Sequence, residues 1–321
     1  MKKRHLALCG LGVWSSDHTP SFEKPFSKVI AIIGANGQLG SDLVRTFKDS
    51  GHEIFPLTHA DIDVVDLSSS MKVLEKIQPD IVINCAAYVR VDDAEDFPDK
   101  AFAVNALGAR NIALVCKDLD ADLVHISTDY VFDGRKKCPY TEEDIPDPLD
   151  VYGISKLAGE YFVKNIVDNH YIIRSSSLFG IAGASGKGGN FVETMIKKAR
   201  NNEEIKVVDD MIMSPTYTRD AAEMIGKILE KGLPFGVYHA ANGGQCSWYE
   251  FAGAIFKMLG METNLSPTKT DILRSKARRP MYSPLVSMKL IKFGLEMDNW
   301  ETALRNYLIE KEYLETVKIN L

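Results

Sequence analysis

Short apolar runs alternate with helical patterns through the first two thirds of the chain. The runs are rich in β-branched residues and occupy residues 28–33, 53–57, 62–65, 79–84, 122–126, 170–174 and 237–240. Nearly continuous apolar runs of this length are typical of parallel strands buried on both faces. Strands that alternate with helices predict an α/β protein, a Rossmann-type doubly wound parallel sheet.

Helical periodicity fills the gaps between these runs. We predict helices at residues 71–77, 150–163, 191–200, 221–230, 247–259 and 300–307. The helix after Ser247 carries a capping-box pattern, because Glu250 follows three residues later. After residue 180 the strict alternation loosens, which indicates a smaller and mixed C-terminal lobe.

A glycine loop follows the first apolar run and opens a helix. Strand, glycine turn and helix come in the order that a dinucleotide requires, because glycines let backbone N–H groups approach a pyrophosphate at a helix N-terminus. The predicted cofactor contacts in this loop are Gly34, Asn36, Gly37, Gln38, Leu39 and Gly40.

Thr58-His59 follows the second predicted strand, at a place where NAD-selecting folds usually have an acid for the ribose 2′-hydroxyl. No acid stands at that position, so the sequence slightly favours NADPH over NADH. His59 is either a neighbour of the 2′-phosphate or an exposed loop residue.

Further cofactor contacts are predicted at the carboxyl ends of later strands, where ligands of doubly wound sheets collect. Asp63 could accept from the adenine amino group, and small side chains near residue 86 would let the cofactor lie close. A helix carries Asn105 inward. The predicted contacts are Asp63, Val64, Ala86, Ala87, Tyr88, Asn105 and Ser127.

Tyr152 and Lys156 lie four residues apart in a predicted helix, so their side chains share one face. An ammonium beside a phenol stabilises the phenolate, which predicts a lowered pKa for Tyr152 and suits it to donate a proton to a carbonyl. Thr128 follows the carboxyl end of the strand predicted at residues 122–126 and supplies a hydroxyl to the same crevice. We predict Thr128, Tyr152 and Lys156 as the catalytic residues.

Composition excludes several classes of protein. The net charge of −6 without a basic stripe speaks against nucleic acid as a partner, and no apolar run is long enough for a membrane span. The five cysteines are widely scattered, with no zinc spacing, which predicts reduced thiols, a cytoplasmic location and no metal site.

These patterns predict three regions. Residues 1–26 form an N-terminal extension that we expect to be disordered, residues 27–180 a dinucleotide-binding Rossmann domain, and residues 181–321 mainly a substrate-binding lobe. Residues 215–242 are expected to return to the first domain.

The assembled motifs resemble the extended short-chain dehydrogenases/reductases and, within them, the dTDP-4-dehydrorhamnose reductase family. The narrower motifs are residues 127–134, 207–210 with 214–217, and 247–251, and residues 279–280 also contribute to the resemblance. The resemblance implies NAD(P)H-dependent reduction of the C4 keto group of dTDP-4-dehydro-6-deoxy-L-mannose to dTDP-L-rhamnose. It implies Asn190, Trp248 and Arg279 as substrate contacts, with Arg279 near the diphosphate.

One departure concerns the sugar, since Ser177 stands where that family often carries a tryptophan. The alternatives are another nucleotide-sugar reductase or epimerase, or a non-catalytic regulatory subunit of the kind that partners methionine adenosyltransferase. A homodimer is also compatible with the sequence.

Overall fold

The structure is a computed structural model that describes residues 27–183, 189–273 and 275–315. The predicted N-terminal extension, residues 1–26, lies outside the described residues. No helix in the described ranges combines the length and the apolar character that crossing a membrane would require.

Twelve strands and eleven α-helices are found in the described ranges. The strands are β1 (Val29–Ile33), β2 (Glu53–Leu57), β3 (Ile81–Asn84), β4 (Asp122–Thr128), β5 (His170–Ser175), β6 (Leu178–Phe179), β7 (Ile205–Val208), β8 (Ile212–Met213), β9 (Thr216–Tyr217), β10 (Gly236–His239), β11 (Cys246–Ser247) and β12 (Leu265–Thr268). The helices are α1 (Gln38–Lys48), α2 (Leu67–Ile77), α3 (Val91–Asp96), α4 (Pro98–Phe102), α5 (Ala109–Leu119), α6 (Val151–Ile166), α7 (Phe191–Arg200), α8 (Thr218–Glu230), α9 (Trp248–Leu259), α10 (Met288–Lys292) and α11 (Trp300–Glu310). A π-helical segment, Ala103–Gly108, joins α4 to α5, and short 3₁₀ turns occupy Asp129–Val131 and Thr270–Leu273.

Six parallel strands form the central sheet, in the order β2-β1-β3-β4-β5-β10. All residues of β3 and β5 are buried, as expected for strands covered by helices on both faces. The chain leaves β1 to one side for β2 and then crosses to the other side for β3. The carboxyl ends of β1 and β3 therefore flank a topological switch point, where such sheets bind ligands. The predicted doubly wound α/β fold is confirmed.

The strand predicted at residues 62–65 is wrong, because residues 62 and 63 are irregular and residues 64 and 65 form a turn. Ile62 and Val64 are buried, so the run is apolar for packing reasons rather than for strand pairing. Asn111 donates to the carbonyl oxygens of both Val64 and Val65, each at 3.0 Å, which are the groups that a strand would offer to its neighbour.

The chain returns to the central sheet after residue 217. Helix α8 packs on α1, where Ile225 and Ile228 share a buried cluster with Leu43 and Phe47. Strand β10 then pairs in parallel with β5 at the edge of the sheet.

The C-terminal lobe has its own buried cluster, in which the Phe179 ring centroid lies 5.5 Å from that of Phe251 and 5.3 Å from that of Tyr307. Three two-stranded pairs and helices α7, α9 and α11 surround it. The predicted capping box at the start of α9 is confirmed, since Ser247 and Glu250 each accept the other's backbone N–H, at 3.0 and 2.7 Å.

Glu310 of α11 joins this lobe to α1. Its carboxylate pairs with Arg45 at 2.6 Å and with Arg219 at 3.1 Å, and it accepts from the Tyr217 hydroxyl at 2.5 Å. A second link lies beside it, because the Thr218 hydroxyl donates to the buried Asp42 of α1 at 2.5 Å.

Two glycines in helices predict opposite responses to alanine. A Cβ at Gly40 would lie 2.1 Å from the Gly34 carbonyl oxygen, whereas a Cβ at Gly226 meets nothing closer than 3.6 Å. Gly40→Ala should lower stability by about 1–3 kcal/mol through overpacking. Gly226→Ala should raise it by about 0.5–1 kcal/mol through helix propensity. Thermal unfolding of both variants checks this, and equal shifts would contradict the packing at Gly40.

Candidate active site

The glycine loop turns sharply at the carboxyl end of β1. Gly34 has a φ of +77°, a conformation that only glycine adopts readily, and its N–H donates to the Leu57 carbonyl at 2.8 Å. A Cβ on Gly34 would lie 3.1 Å from the backbone of Cys85, so the loop packs tightly against the end of β3. The loop thus lies at the switch point of the sheet.

Helix α1 begins in this loop with its N-terminus suited to an anion. Gly37 is the N-cap and supplies no side-chain acceptor, and the first turn has no acidic residue. The positive end of the helix dipole is therefore not compensated by a carboxylate. Gln38 accepts from the Gly180 N–H at 3.1 Å, which ties the loop to the segment after β6. These features fit a dinucleotide pyrophosphate, and the contacts predicted from Asn36 and Leu39 remain predictions.

The chain after β3 continues the crevice. Residues 85–88 are half-buried, and the Ala86 N–H donates to the Asn84 side chain at 3.1 Å. Asn105 is fully buried in the π-helical segment, where its side chain bonds the N–H of Tyr88 at 2.8 Å and the carbonyl of Tyr88 at 3.1 Å. Its amide also donates to the Ser155 hydroxyl at 3.0 Å. Asn105 therefore connects this segment to α6 by hydrogen bonds. Direct contact of Asn105 or Ala87 with a cofactor stays a prediction.

The loop after β2 contains an acidic residue, Asp61, that the sequence analysis did not single out. The Asp61 carboxylate accepts from the N–H and the hydroxyl of Thr58, at 2.8 and 2.7 Å, and these bonds lower its pKa. It thus folds back to the end of β2, while His59 is exposed. Asp63 accepts from the Val65 N–H at 3.0 Å, and its adenine contact remains a prediction.

Below the crevice, a buried ion pair joins α6 to the sheet. Arg174 donates to Glu160 through Nε at 2.9 Å and through Nη2 at 2.6 Å. The Ser127 hydroxyl donates to the same carboxylate at 2.5 Å. The hydroxyl predicted to touch the cofactor is thus engaged with Glu160 in this structure.

Thr128 and Tyr152 come together at the carboxyl end of β4. A hydrogen bond between their hydroxyls lowers the phenol pKa, but burial outweighs it and the net pKa of Tyr152 is raised. The ring of Tyr130 packs edge-on against Tyr152, with centroids 5.6 Å apart. The predicted meeting of Thr128 and Tyr152 is therefore present.

The predicted direction of the Tyr152 pKa is wrong for this structure. Burial removes water from the phenol, which disfavours the phenolate, and Asp129 and Asp150 add further negative charge nearby. The nearby Lys156 does not outweigh these effects, and its Nζ donates to the Ile126 carbonyl at 2.6 Å. Burial also lowers the pKa of Lys156 to about 8, partly offset by the charge of Glu160.

Asp129 lies directly behind Thr128 and was not anticipated from the sequence. It is 2% exposed and accepts hydroxyl bonds from Thr128 at 3.1 Å, Ser176 at 2.9 Å and Ser283 at 2.5 Å. Burial raises its pKa to about 6, although the three hydroxyls lower it. The neighbouring helix cap, Asp150, has a similarly raised pKa of about 6, caused first by burial.

Arg279 contacts Tyr130, the residue whose ring packs against Tyr152. Its Nη2 pairs with Asp92 at 2.8 Å, and it also hydrogen-bonds Tyr130. It lines a cavity of about 330 Å³ together with Arg135 and Arg278. The structure thus places Arg279 one aromatic ring away from Tyr152.

The other two predicted substrate contacts serve the lobe's core. Asn190 caps α7 through the Glu193 N–H, and its amide donates to the Gly180 carbonyl at 2.8 Å and to the Tyr307 hydroxyl at 2.9 Å. The Trp248 ring packs on Phe191, with centroids 4.7 Å apart. Contact of either residue with a substrate stays a prediction.

A crevice with a phenol and an ammonium beside a pyrophosphate loop belongs to the NADP-dependent oxidoreductases of the Rossmann type. Comparison with known proteins narrows the class further. The chain belongs to the dTDP-4-dehydrorhamnose reductase family, whose family model, the RmlD substrate binding domain, matches residues 28–313.

Similar proteins cover nearly the whole chain. The spore coat polysaccharide biosynthesis protein SpsK of Bacillus subtilis is 42% identical over 282 residues, which are 88% of this chain and 97% of SpsK. The dTDP-4-dehydrorhamnose reductase of Mycolicibacterium smegmatis is 36% identical over 294 residues, 91% of this chain and 88% of that protein. The crystal structure of dTDP-4-dehydrorhamnose reductase from Bacillus anthracis in complex with NADP has a TM-score of 0.84 and 42% identity, covering 88% of this chain and 99% of that one.

The buried carboxyl of Asp129 predicts a pH dependence of stability. Its pKa is raised from 3.8 to about 6, so the folded protein keeps a proton that the unfolded chain has lost, and stability falls as pH rises from about 4 to 6. Tyr130, Tyr152 and Asp150 face the same carboxyl. Asp129→Asn should remove this share of the slope.

Thermal unfolding between pH 4 and 7 measures the effect. Relative to wild type, Asp129→Asn should gain stability with rising pH, by about 3 kcal/mol in all from a shift of about two pKa units. The exposed Asp99→Asn is the control and should run parallel to wild type. A parallel Asp129→Asn curve would contradict the raised pKa.

Proposed function

We propose that the protein reduces the C4 keto group of dTDP-4-dehydro-6-deoxy-L-mannose with NADPH, giving dTDP-L-rhamnose and NADP⁺. The observation that carries this proposal is the meeting of Thr128 with Tyr152 at the carboxyl end of β4, beside Lys156. Membership of the dTDP-4-dehydrorhamnose reductase family supports the choice of substrate.

Tyr152 is the proton donor in this proposal. NADPH supplies the hydride that reaches C4, and the phenol gives its proton to the carbonyl oxygen, so one C–H and one O–H bond form. The raised pKa of Tyr152 keeps the phenol protonated until that oxygen gains negative charge. Thr128 holds the same oxygen in place, in the position where its charge develops.

Lys156 supplies a positive charge close to this proton transfer. Its Nζ is buried against the Ile126 carbonyl, and a pKa of about 8 leaves it mostly cationic at neutral pH. A buried cation one helical turn from Tyr152 would stabilise the phenolate left by proton transfer. In the proposed complex the same ammonium holds the hydroxyls of the nicotinamide ribose.

Arg279 is the proposed diphosphate contact. Guanidinium groups bind phosphate oxygens through paired N–H donors. Arg279 lines the 330 Å³ cavity and also hydrogen-bonds Tyr130. Two more arginines, Arg135 and Arg278, line that cavity. The thymidine diphosphate would lie there, with its sugar directed at Tyr152.

NADPH is preferred to NADH on two grounds. The Bacillus anthracis relative was crystallised in complex with NADP. In this chain the Asp61 carboxylate is engaged with Thr58, and His59 is exposed at the end of β2.

A cytoplasmic location and a homodimer remain proposals from the sequence alone.

A second candidate within the enzyme class concerns the sugar. A Streptomyces niveus protein named dTDP-4-keto-6-deoxy-D-glucose reductase is 35% identical over 276 residues, which are 85% of this chain. Ser177, at the position of the family's tryptophan, has a φ of +45°, so the backbone there is unusual for a side-chain-bearing residue. The regulatory-subunit alternative predicts no turnover at all.

Oxidation of NADPH at 340 nm with dTDP-4-dehydro-6-deoxy-L-mannose tests the proposed reaction. Tyr152→Phe removes the proton donor and should lower kcat by about 10²–10⁴-fold. Because the ring remains, NADPH binding followed by fluorescence should stay within about two-fold of wild type. Wild-type turnover in Tyr152→Phe would remove Tyr152 from its role, and an inactive wild type would leave the regulatory alternative.

Replacing Arg279 should separate binding from chemistry. Arg279→Ala should raise KM for the sugar nucleotide about tenfold or more, as expected when a charge-assisted hydrogen bond is lost. Steady-state kinetics checks it, with Arg305→Ala, an exposed arginine of α11 that does not line this cavity, as the control. An unchanged KM would return Arg279 to a structural role.

A further inference from the structure

Asp92, in the first turn of α3, binds three groups of one segment in the C-terminal part of the chain. We call residues 275–281 the strap. The Asp92 carboxylate accepts from the Ser275 hydroxyl at 2.7 Å, from the Ala277 N–H at 3.1 Å and from Arg279 Nη2 at 2.8 Å. A fourth contact lies beside these, the ion pair of Lys276 with Asp96.

Gly134 lets the strap cross the loop after β4. Its φ is +73°, and a Cβ there would lie 2.6 Å from the Met281 nitrogen and 2.7 Å from Pro280 Cα. Any larger residue would push the strap away. The strap is therefore held on one side by α3 and on the other by the backbone at Gly134.

This double support fixes the direction of the Arg279 guanidinium. Nη2 is committed to Asp92 and Nη1 to the Ser275 hydroxyl, while the group also bonds Tyr130. Tyr130 in turn packs edge-on against Tyr152. The guanidinium is thus held next to the ring that contacts the proton donor, and Arg279 also lines the cavity.

Stability alone gives a weak reason for this ion pair. The Asp92 side chain is 45% exposed, and ion pairs at such positions contribute little to the free energy of unfolding. Orientation gives a stronger reason, because an unrestrained arginine side chain loses rotamer entropy when a ligand immobilises it, whereas one already held by an ion pair loses less. Hydrogen bonds from the strap lower the pKa of Asp92 to about 2, against the effect of burial. The Asp92 carboxyl is therefore ionised at neutral pH.

We propose that Asp92 is a positioning residue which, through Arg279, lets the site recognise the second phosphate of a nucleoside diphosphate. This inference rests on the proposed function, because it assigns the cavity that Arg279 lines to the diphosphate of the sugar nucleotide. Asp92 itself touches no substrate. Its effect passes entirely through the strap.

Calorimetric titration of the full chain with dTDP and with dTMP measures this recognition. In wild type dTDP should bind more tightly than dTMP, because only dTDP carries the second phosphate. Asp92→Asn keeps the size of the side chain and removes its charge, and should weaken dTDP binding about tenfold while changing dTMP binding less than threefold. Asp92→Glu restores the charge and should recover part of the preference.

Asp96→Asn is the matched control. Asp96 lies one turn further along α3, its side chain is also 45% exposed, and it pairs with Lys276 of the same strap. It holds no arginine of the cavity, so its dTDP-to-dTMP ratio should equal that of wild type. In steady-state assays Asp92→Asn should raise KM for the sugar nucleotide, with kcat and the NADPH dissociation constant within about two-fold.

Two results would overturn the role of Asp92. One is a wild-type dTDP-to-dTMP ratio in Asp92→Asn. The other is an equal loss of dTDP, dTMP and NADPH binding together with a lowered Tm, which would make Asp92 a residue of general stability. Failure of the proposed reaction is separate, because it appears as absent turnover in wild type, whereas the dTDP-to-dTMP ratio needs no turnover.

Discussion

The site depends on one buried ion pair, between Glu160 of α6 and Arg174 of β5. Both side chains are 5% exposed, and their closest contact is 2.6 Å. A buried pair of this kind adds little net stability, because desolvation offsets the attraction, yet loss of one partner typically costs about 3–5 kcal/mol. Arg174 is further confined by the ring of Phe132, 5.2 Å from its guanidinium carbon. The pair therefore fixes the rotation of α6 about its own axis more than it stabilises the fold.

That rotation decides where the reactive groups point. Residues 152, 156 and 160 are spaced by four, so they lie on one stripe of α6. With Glu160 held at Ser127, Lys156 meets the Ile126 carbonyl and Tyr152 meets Thr128. All three partners belong to β4. A rotation of α6 by one residue, about 100°, would turn the whole stripe away from the strand.

The sequence predicted those parts of the fold and site that local spacing determines. The strands of the sheet, the glycine loop and the stripe of α6 follow from periodicities within a few residues. The error at residues 62–65 has a distant cause, since the side chain that takes their carbonyls is Asn111. Asp92 was missed for the same reason, because its arginine lies 187 residues away. The direction of the Tyr152 pKa failed because burial is a tertiary property, and no spacing reports it.

An acidic chain that binds two phosphate-bearing molecules must concentrate its positive potential at two places. One is the N-terminus of α1, where a glycine caps the helix and no acid follows in the first turn. The other is the strap, where Asp92 holds Arg279 toward Tyr130.

The glycine loop and the strap are each connected by contacts to one of the two residues Tyr152 and Lys156. The glycine loop touches Cys85, whose thiol is close enough to Lys156 for the ammonium to lower its pKa against the larger effect of burial. Arg279 reaches Tyr130, which packs on Tyr152. A cofactor anchored at the first place and a nucleotide anchored at the second would therefore converge on Tyr152 and Lys156. Because each anchor is a phosphate and not a sugar, the geometry of hydride transfer is set largely without reference to the sugar. Changes at Ser177 could then alter which sugar is accepted while the reaction stays the same.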